Sequence, residues 1–347
     1  MRSGVKEPRI YFVYLSLIRN FVPANLKRMK KELRIVFMGT PDFAVPSLAK
    51  LVENGYNVVG VVTMPDKAIG RHHDVLQSSP VKQYAVCHDI PVLQPEKLKD
   101  EAFLKELSEL KADLQIVVAF RMLPQMVWGM PRLGTFNLHA ALLPQYRGAA
   151  PINWAIINGD KETGITTFFL DEDIDTGRII LQERIPIGEE DCLEDIHDRM
   201  MVQGADLVQK TVDLIAEGKA EATDQSQFMT EEPLRPAPKI FKETCEIQWT
   251  NTAQVYNFVR GLSPYPAAWT TLHTQEGKEV VMKIFKTRKE TALTDVKEPT
   301  LQTDGKTFLR VALPDGYLYL EEVQISGKKR MQIADFLRGA HIEGWTL

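Results

Sequence analysis

Short apolar runs alternate with helix-like segments along the first two-thirds of the chain. The segments between the runs repeat apolar residues at helical spacing, as in the stretch from Pro41 to Gly55. This alternation is typical of helices covering a parallel sheet and predicts the α/β class. The predicted strands of this sheet are 34–38, 57–63, 114–120 and 134–140.

Two further apolar runs, 165–171 and 178–187, are joined by the acidic turn "EDIDTG" and predict a hairpin. A long amphipathic helix follows, and its last turn leads into Gly218. Residues 64–79, by contrast, are polar and predict a loop.

The composition changes over 222–240, where polar residues and prolines are frequent. Such a stretch indicates a linker between two domains. We therefore expect a disordered extension over 1–28, a first domain over 29–221 and a second domain over 241–347. The second domain holds one helix candidate and then short β-like stretches separated by turn residues, which predict a small β-barrel of the OB-like kind.

The first 28 residues contain an apolar run that Arg19 interrupts well short of a membrane span. Met29 is followed by "KKELRIVFMGT", a natural start for the first strand, so we expect the extension before it to come from an upstream start codon. A cleaved secretory signal is the alternative, although a long apolar core and a small-residue cleavage site are not evident.

Charge and cysteine content narrow the class of function. A formal net charge of -4 excludes a wholly basic nucleic-acid binder but leaves room for a local basic patch. The three cysteines, Cys87, Cys192 and Cys245, lie far apart and without metal-ligand spacing. We therefore expect neither a disulfide framework nor a zinc site, a pattern that fits a reducing cytoplasm.

The stretch "FNLHAALLPQYRGAAPINWAI", residues 136–156, places one asparagine and one histidine in an apolar strand. Residues i and i+2 of a strand face the same side, so Asn137 and His139 project together. An amide donor beside a base suits acyl transfer, because one stabilises the developing oxyanion while the other takes a proton. The alternative, two hydrogen-bonded structural residues, remains open on this evidence.

Two neighbouring segments favour the functional interpretation. Pro151 begins a predicted helix after several small residues, which predicts free backbone N–H groups near the strand end. The acidic turn contains Asp175, whose carboxylate would support His139 if the turn folds back over the strand end. The alternative is a solvated turn, because acidic turns are common on protein surfaces.

Together these motifs resemble the folate-dependent formyltransferases. The stretch quoted above, with "DEDIDTGRIILQ" after it and "RIVFMGTPDFAVPSL" before it, carries the resemblance, which runs from about residue 34 to the C-terminus. It implies a Rossmann-like formyltransferase domain followed by a small barrel. The "GTPDFA" start and the C-terminal domain favour the members of the family that act on methionyl-tRNA.

The resemblance also implies the chemistry. The formyl donor is 10-formyltetrahydrofolate, the acceptor is the amino group of methionine on initiator tRNA, and no metal is required. The family's catalytic trio falls on Asn137, His139 and Asp175. Two segments border the folate in the family and correspond to Phe120, Arg121, Met122 and Leu123, and to Ala141, Leu142, Leu143 and Pro144. We expect a monomeric enzyme.

The expected tRNA contacts include a departure from the family pattern. The family loop usually reads "GRGKKL" and grips the acceptor stem. Here Arg71 is retained, but His73 and Asp74 replace the two lysines, which removes positive charge facing phosphate. A plain surface loop is the alternative for this segment. A second tRNA contact is expected on the barrel, at Lys328, Lys329 and Arg330.

Two other functions are weighed against this interpretation. Formyl transfer to glycinamide ribonucleotide is the closest rival, but such an enzyme would end near residue 220. A nucleic-acid-binding barrel beside an inactive domain is the other, and the intact trio argues against it.

Overall fold

The computed structural model describes residues 32–69 and 75–347. Arg71, His73 and Asp74 lie outside this part of the chain, as does the extension predicted over 1–28.

The strands of the first domain are β1 (Arg34–Gly39), β2 (Asn57–Val62), β3 (Lys67–Ile69), β4 (Val75–Gln77), β5 (Val92–Leu93), β6 (Leu114–Val118), β7 (Thr135–His139), β8 (Glu162–Phe169) and β9 (Ile179–Pro186). Its helices are α1 (Val45–Glu53), α2 (Pro80–Cys87), α3 (Glu101–Glu109), α4 (Gln125–Trp128), α5 (Pro151–Ile157) and α6 (Leu193–Ala216).

Seven of these strands form one sheet in the order β5-β2-β1-β6-β7-β8-β9. The predicted parallel arrangement is confirmed from β5 to β7. The last two strands, β8 and β9, run antiparallel to their neighbours. The connection from β7 to β8 contains only the short helix α5, which is too short to carry the chain back along the sheet.

The central strand β1 is buried on both faces, as a parallel strand between two helical layers should be. Ile35 and Phe37 pack on the side of α1 and α6, whereas Val36 and Met38 pack on the side of α3. The chain first builds outward from β1 to β2 and β5 and then returns to β6 on the other side of β1. This reversal opens a crevice at the carboxyl ends of the strands, where α/β sheets bind ligands.

The prediction of a loop over 64–79 was wrong in part. Strands β3 and β4 pair antiparallel, with Lys67 opposite Gln77 and Ala68 opposite Leu76. Leu76 is 71% exposed, so its apolar side chain gave no sign of a buried strand in the sequence.

The second domain begins with α7 (Thr252–Leu262) and continues with β10 (Ala268–His273), β11 (Glu279–Thr291), β12 (Thr300–Thr303), β13 (Leu309–Leu313), β14 (Gly316–Ile325), β15 (Met331–Gln332) and α8 (Ile333–Gly339). The strands form a six-stranded antiparallel sheet in the order β10-β11-β14-β13-β12, with β15 paired to β14. Register shifts near Lys286 let the long strand β11 curl around a separate core. This curled sheet confirms the small-barrel class.

One helix of the second domain was missed by the sequence patterns. The expectation of a single helix candidate there is wrong, because α8 follows β15 at the end of the chain. Only Phe336 and Leu337 of this short helix are buried, which leaves too little periodicity to mark it.

The second domain packs directly against the first through α7. The side chain of Asn153, on α5, donates to the Gly261 carbonyl at 2.8 Å. Arg260 donates to the carbonyls of Gly188 and Asp191 at 3.0 and 2.9 Å. The barrel is therefore fixed against α5, the helix that begins beside the carboxyl end of β7.

The segment over 222–240 also lies against the first domain. Thr223 pairs with Ile179, and Ala237 pairs with Gly148. Among the described residues, none of the helices combines the length and the apolar composition that crossing a bilayer requires.

Candidate active site

A cavity of about 650 Å³ opens at the carboxyl ends of β6 and β7. Its walls come from the loop after β6, the end of β7, the start of α5 and the acidic turn between β8 and β9. Several predicted site residues line it: Asn137, His139, Asp175, Phe120, Arg121, Met122 and Leu123. The cavity thus brings together the predicted trio and the first predicted folate segment.

His139 is the last residue of β7 and its side chain is only 6% exposed. Its Nε2 lies 2.8 Å from the backbone carbonyl oxygen of Tyr146. Because a carbonyl oxygen only accepts, Nε2 carries the proton in this contact and Nδ1 of the neutral ring keeps its lone pair. The nitrogen available as a base is therefore Nδ1.

Asp175 faces that nitrogen. Its Oδ2 lies 3.8 Å from Nδ1 of His139 and accepts the Gly148 N–H at 2.9 Å. The distance to Nδ1 is too long for a direct hydrogen bond, so Asp175 acts on the ring through its charge. The ring is oriented instead by Tyr146, whose own backbone N–H donates to Arg235 O at 2.7 Å.

Tyr146 is itself tightly held. Its hydroxyl donates to Asp160 at 2.6 Å and accepts from Arg235 and Asn158 at 3.2 Å. Burial and the hydrogen bond to Asp160 raise the pKa of this phenol above its ordinary value. The phenol stays neutral and anchors the backbone whose carbonyl selects the His139 tautomer.

Asn137 lines the same cavity two residues before His139. It pairs in register with Val117 on β6 and with Phe168 on β8, so the sheet fixes its backbone on both sides. A side-chain amide held there presents N–H donors beside the base.

The prediction of free backbone N–H groups near the strand end stays a prediction for the first turn of α5, whereas the N–H groups that precede Pro151 are paired. The Gly148 N–H donates to Asp175, and the N–H groups of Ala149 and Ala150 both donate to Ala237 O, at 2.8 and 3.2 Å. The segment 222–240 supplies this acceptor, which patterns near residue 151 could not reveal.

Two motif glycines are explained by close backbone approaches. Gly148 has φ 127°, and a Cβ there would lie 2.4 Å from Ala237 O. At Gly177 a Cβ would lie 1.7 Å from Phe169 O. A side chain at Gly148 would displace the loop after β7, and one at Gly177 would displace the acidic turn.

The second predicted folate segment lies elsewhere. Ala141, Leu142, Leu143 and Pro144 are not among the described residues that line the cavity. Their backbone instead fastens the loop after β7 to β8 and β9. Thr166 donates to Ala141 O at 2.6 Å, and Gln182 donates to Leu143 O at 2.8 Å.

Arg121 fixes the loop after β6. Its Nη1 donates to Glu96 O at 2.8 Å, and its Nη2 donates to Pro95 O. Burial lowers the pKa of this guanidinium. The loop that carries Phe120 and Met122 along the cavity is thereby tied to the segment before α3.

The basic cluster of the barrel lies on the turn between β14 and β15. Lys328 and Lys329 are exposed, whereas Arg330 lies over the Phe285 ring and pairs with Glu322 at 2.6 Å. Two free cations therefore face solvent at this turn. Within the described residues, no group of three His, Cys, Asp or Glu side chains could hold a metal ion.

Three residues of the site escaped the sequence analysis. His197 on α6 lines the cavity, with its ring 5.2 Å from that of Phe43. Tyr146 acts through its carbonyl, and Gln225 contacts the acidic turn. His197 and Gln225 reach the site from distant parts of the chain, and Tyr146 acts through a backbone carbonyl, which no side-chain pattern marks.

A histidine and an asparagine lie together at the carboxyl edge of a doubly wound sheet, beside a cavity that could hold a small co-substrate. This arrangement is typical of group-transfer enzymes with a Rossmann-like fold. The formyl transferase family profile matches residues 33–212, and the profile of the formyl transferase C-terminal domain matches residues 239–341.

The chain is 62% identical to methionyl-tRNA formyltransferase of Parabacteroides distasonis, over 90% of this chain and 97% of that protein. It is 49% identical to methionyl-tRNA formyltransferase of Porphyromonas gingivalis, over 89% and 96%. The chain therefore belongs to the formyl transferase family, in its methionyl-tRNA formyltransferase branch.

Solved structures share the fold at low identity. WlaRD, a sugar 3N-formyl transferase crystallised with dTDP and 5-N-formyl-THF, has 18% identity and a TM-score of 0.60, over 86% of this chain and 99% of that one. HypX from Aquifex aeolicus in complex with tetrahydrofolic acid has 19% identity and a TM-score of 0.57, over 88% and 47%.

Proposed function

We propose that this protein transfers the formyl group of 10-formyltetrahydrofolate to the amino group of methionyl initiator tRNA, in support of translation initiation. The observation that carries the proposal is the orientation of His139. Its Nε2 is bound to Tyr146 O, so Nδ1 faces the cavity as a base next to the Asn137 amide. Relatives named for this activity match nearly the whole chain.

The cavity suits a folate. Phe120, Met122, Leu123 and Leu170 lie in its wall and offer an apolar surface to the pterin ring. When bound, the folate supplies the formyl group. The exposed carboxylates Asp171, Glu172 and Asp173 lie at the same cavity.

The protein's residues act on the acceptor amine in sequence. An α-amino group titrates at about 8, so a weak base suffices to deprotonate it during attack. His139 takes that proton at Nδ1 as the new C–N bond forms at the formyl carbon. Asn137 donates to the formyl oxygen as negative charge develops there. Asp175, 3.8 Å away, stabilises the protonated ring.

His139 then returns the proton to the folate nitrogen as the bond between that nitrogen and the formyl carbon breaks. Formyl-methionyl tRNA and tetrahydrofolate are the products, and no electrons are exchanged with a third reactant. A cytoplasmic monomer is part of the proposal.

We assign the chemistry to residues 29–221 and tRNA recognition to residues 241–347, joined by 222–240. Arg71 and the exposed Lys328 and Lys329 are the proposed phosphate contacts, with Arg330 beside them. Phosphate contacts release counterions, so the affinity for tRNA should fall steeply with salt.

A formylation assay tests the function directly. Purified protein and 10-formyltetrahydrofolate are given either charged initiator tRNA or glycinamide ribonucleotide, and the formylated product is identified by mass spectrometry. We expect product only with the tRNA. Formylation of glycinamide ribonucleotide alone would overturn the proposal.

A second assay tests the tRNA contacts. Arg71→Ala should raise the KM for tRNA and flatten its dependence on salt, while folate affinity stays unchanged. Lys105→Ala, at a lysine exposed on α3, is the matched control. Equal KM and salt dependence in the two variants would remove Arg71 from the tRNA surface.

A further inference from the structure

Gln225 is a buried glutamine in an otherwise exposed short 3-10 helix, Gln225–Phe228. It is 3% exposed, whereas Asp224, Ser226 and Gln227 on either side of it are exposed. This short helix belongs to the segment over 222–240 that the sequence indicated as a linker. A buried amide needs hydrogen-bond partners, and those of Gln225 lie in the active site.

Both ends of the Gln225 amide are engaged. Its Nε2 donates to Asp175 O at 2.9 Å and to Gly177 O at 2.8 Å. Its Oε1 accepts from Nε and Nη2 of Arg147 at 3.1 and 2.6 Å. Carbonyls only accept and a guanidinium only donates, so the partners fix which end of the amide is which.

These bonds join the two segments that build the His139–Asp175 arrangement. Asp175 has φ 55°, a left-handed conformation that an aspartate adopts at a cost unless its surroundings hold it. Arg147 lies between Tyr146, which orients His139, and Gly148, which donates to the Asp175 carboxylate. Gln225 therefore contacts both the acidic turn that carries Asp175 and the loop that carries Arg147.

The loop that carries Tyr146 and Arg147 has further supports from the same segment. Arg235 O accepts from the Tyr146 N–H, and Ala237 O accepts from the Ala149 and Ala150 N–H groups. Removing Gln225 should therefore loosen the acidic turn more than it loosens the loop. The effect should reach His139 through displacement of Asp175.

We propose that Gln225 is a positioning residue for formyl transfer, which holds the Asp175 carboxylate opposite Nδ1 of His139. This inference rests on the proposed function for its kinetic readout. A second readout, hydrogen exchange of the turn, does not depend on activity.

Two substitutions separate the contacts. Gln225→Leu removes every hydrogen bond of the side chain, whereas Gln225→Glu keeps an acceptor for Arg147 but sets a carboxylate oxygen against the carbonyls of Asp175 and Gly177. Gln227→Leu, two residues along and exposed, is the matched control. We expect kcat to fall at least tenfold in both Gln225 variants and to stay unchanged in the control, with folate affinity within threefold in all.

A double-mutant cycle distinguishes positioning from general stability. In an Asp175→Asn background, Gln225→Leu should lower kcat less than threefold, because the group that it positions has already lost its charge. A purely structural role would give the same factor in both backgrounds. The proposal would be overturned if the losses of kcat from Asp175→Asn and Gln225→Leu multiplied in the double mutant. A wild-type kcat in Gln225→Glu would overturn it as well.

Hydrogen exchange followed by mass spectrometry gives the independent readout. In Gln225→Glu the amides of residues 171–178 should exchange at least tenfold faster than in the Gln227→Leu control, while those of β7 stay protected. Unchanged exchange in the turn would refute the inference whether or not the protein formylates tRNA. If the wild-type protein did not formylate tRNA but the turn still exchanged faster in Gln225→Glu, only the proposed function would be refuted.

Discussion

Replacing Asp175 with asparagine removes the charge that faces His139 and leaves the shape of the side chain almost unchanged. Oδ2 lies 3.8 Å from Nδ1, and the two side chains are 14% and 6% exposed. At an effective dielectric constant of about 20, opposite unit charges at this separation attract by about 4 kcal/mol. This attraction exists only when the ring is protonated, which is when the amine attacks.

That energy corresponds to about three orders of magnitude in rate. Asparagine keeps an oxygen that can still accept the Gly148 N–H and a dipole that offsets part of the loss. We therefore expect Asp175→Asn to lower kcat by about 100- to 1,000-fold. Folate affinity should change little, because the chemistry of the apolar wall is untouched.

The assay is single-turnover formylation of charged initiator tRNA, with folate affinity and the melting temperature measured beside it. Asp206→Asn is the matched control, since Asp206 forms an exposed ion pair with Lys50. An Asp175→Asn enzyme that kept more than a third of the wild-type kcat would refute the electrostatic role. Asp175 would then serve only to shape its turn.

The remaining predictions concern the base, a turn and the domain interface. His139→Ala should lower kcat at least about 100-fold with folate affinity nearly intact, and a variant keeping a tenth of the turnover would exclude His139 as the base. Gly177→Ala should abolish formyl transfer and lower the melting temperature, because the new Cβ would collide with the Phe169 carbonyl oxygen. Gly339→Ala is the control, because a Cβ there meets only open space. Burial opposes ionisation of Asp191, but the hydrogen bonds from Arg199 and the Gly188 N–H outweigh it and hold the pKa of this carboxyl below its usual value. Its stabilisation is complete above the unfolded pKa of about 4 and is lost as the pH falls through the folded value, so melting curves of Asp191→Asn should depend less on pH in that acid window.

Local patterns were sufficient for the framework of the first domain. Burial on alternate faces follows from side-chain periodicity within each strand, so the sequence places Ile35 and Phe37 on one side of β1 and Val36 and Met38 on the other. The same periodicity places Asn137 and His139 together. Short elements, such as the β3–β4 ladder and α8, left no such pattern.

The acidic turn suggested that Asp175 could support His139, and the family resemblance assigned it that role, but neither showed how the turn reaches the histidine. The register of β8 on β7 places Phe169 beside Phe136, and the acidic turn folds back from there to reach His139, which depends on the path of the whole chain.

The tautomer of His139 likewise depends on a carbonyl, at Tyr146, that any residue type could supply. A backbone group leaves no mark in the sequence, and its position is set by contacts with Arg235, 89 residues further along the chain. Periodicity reports which way neighbouring side chains face, because it is a property of one element. Which groups meet at the active site is decided when distant segments pack, and that is why Gln225 became visible only in the folded chain.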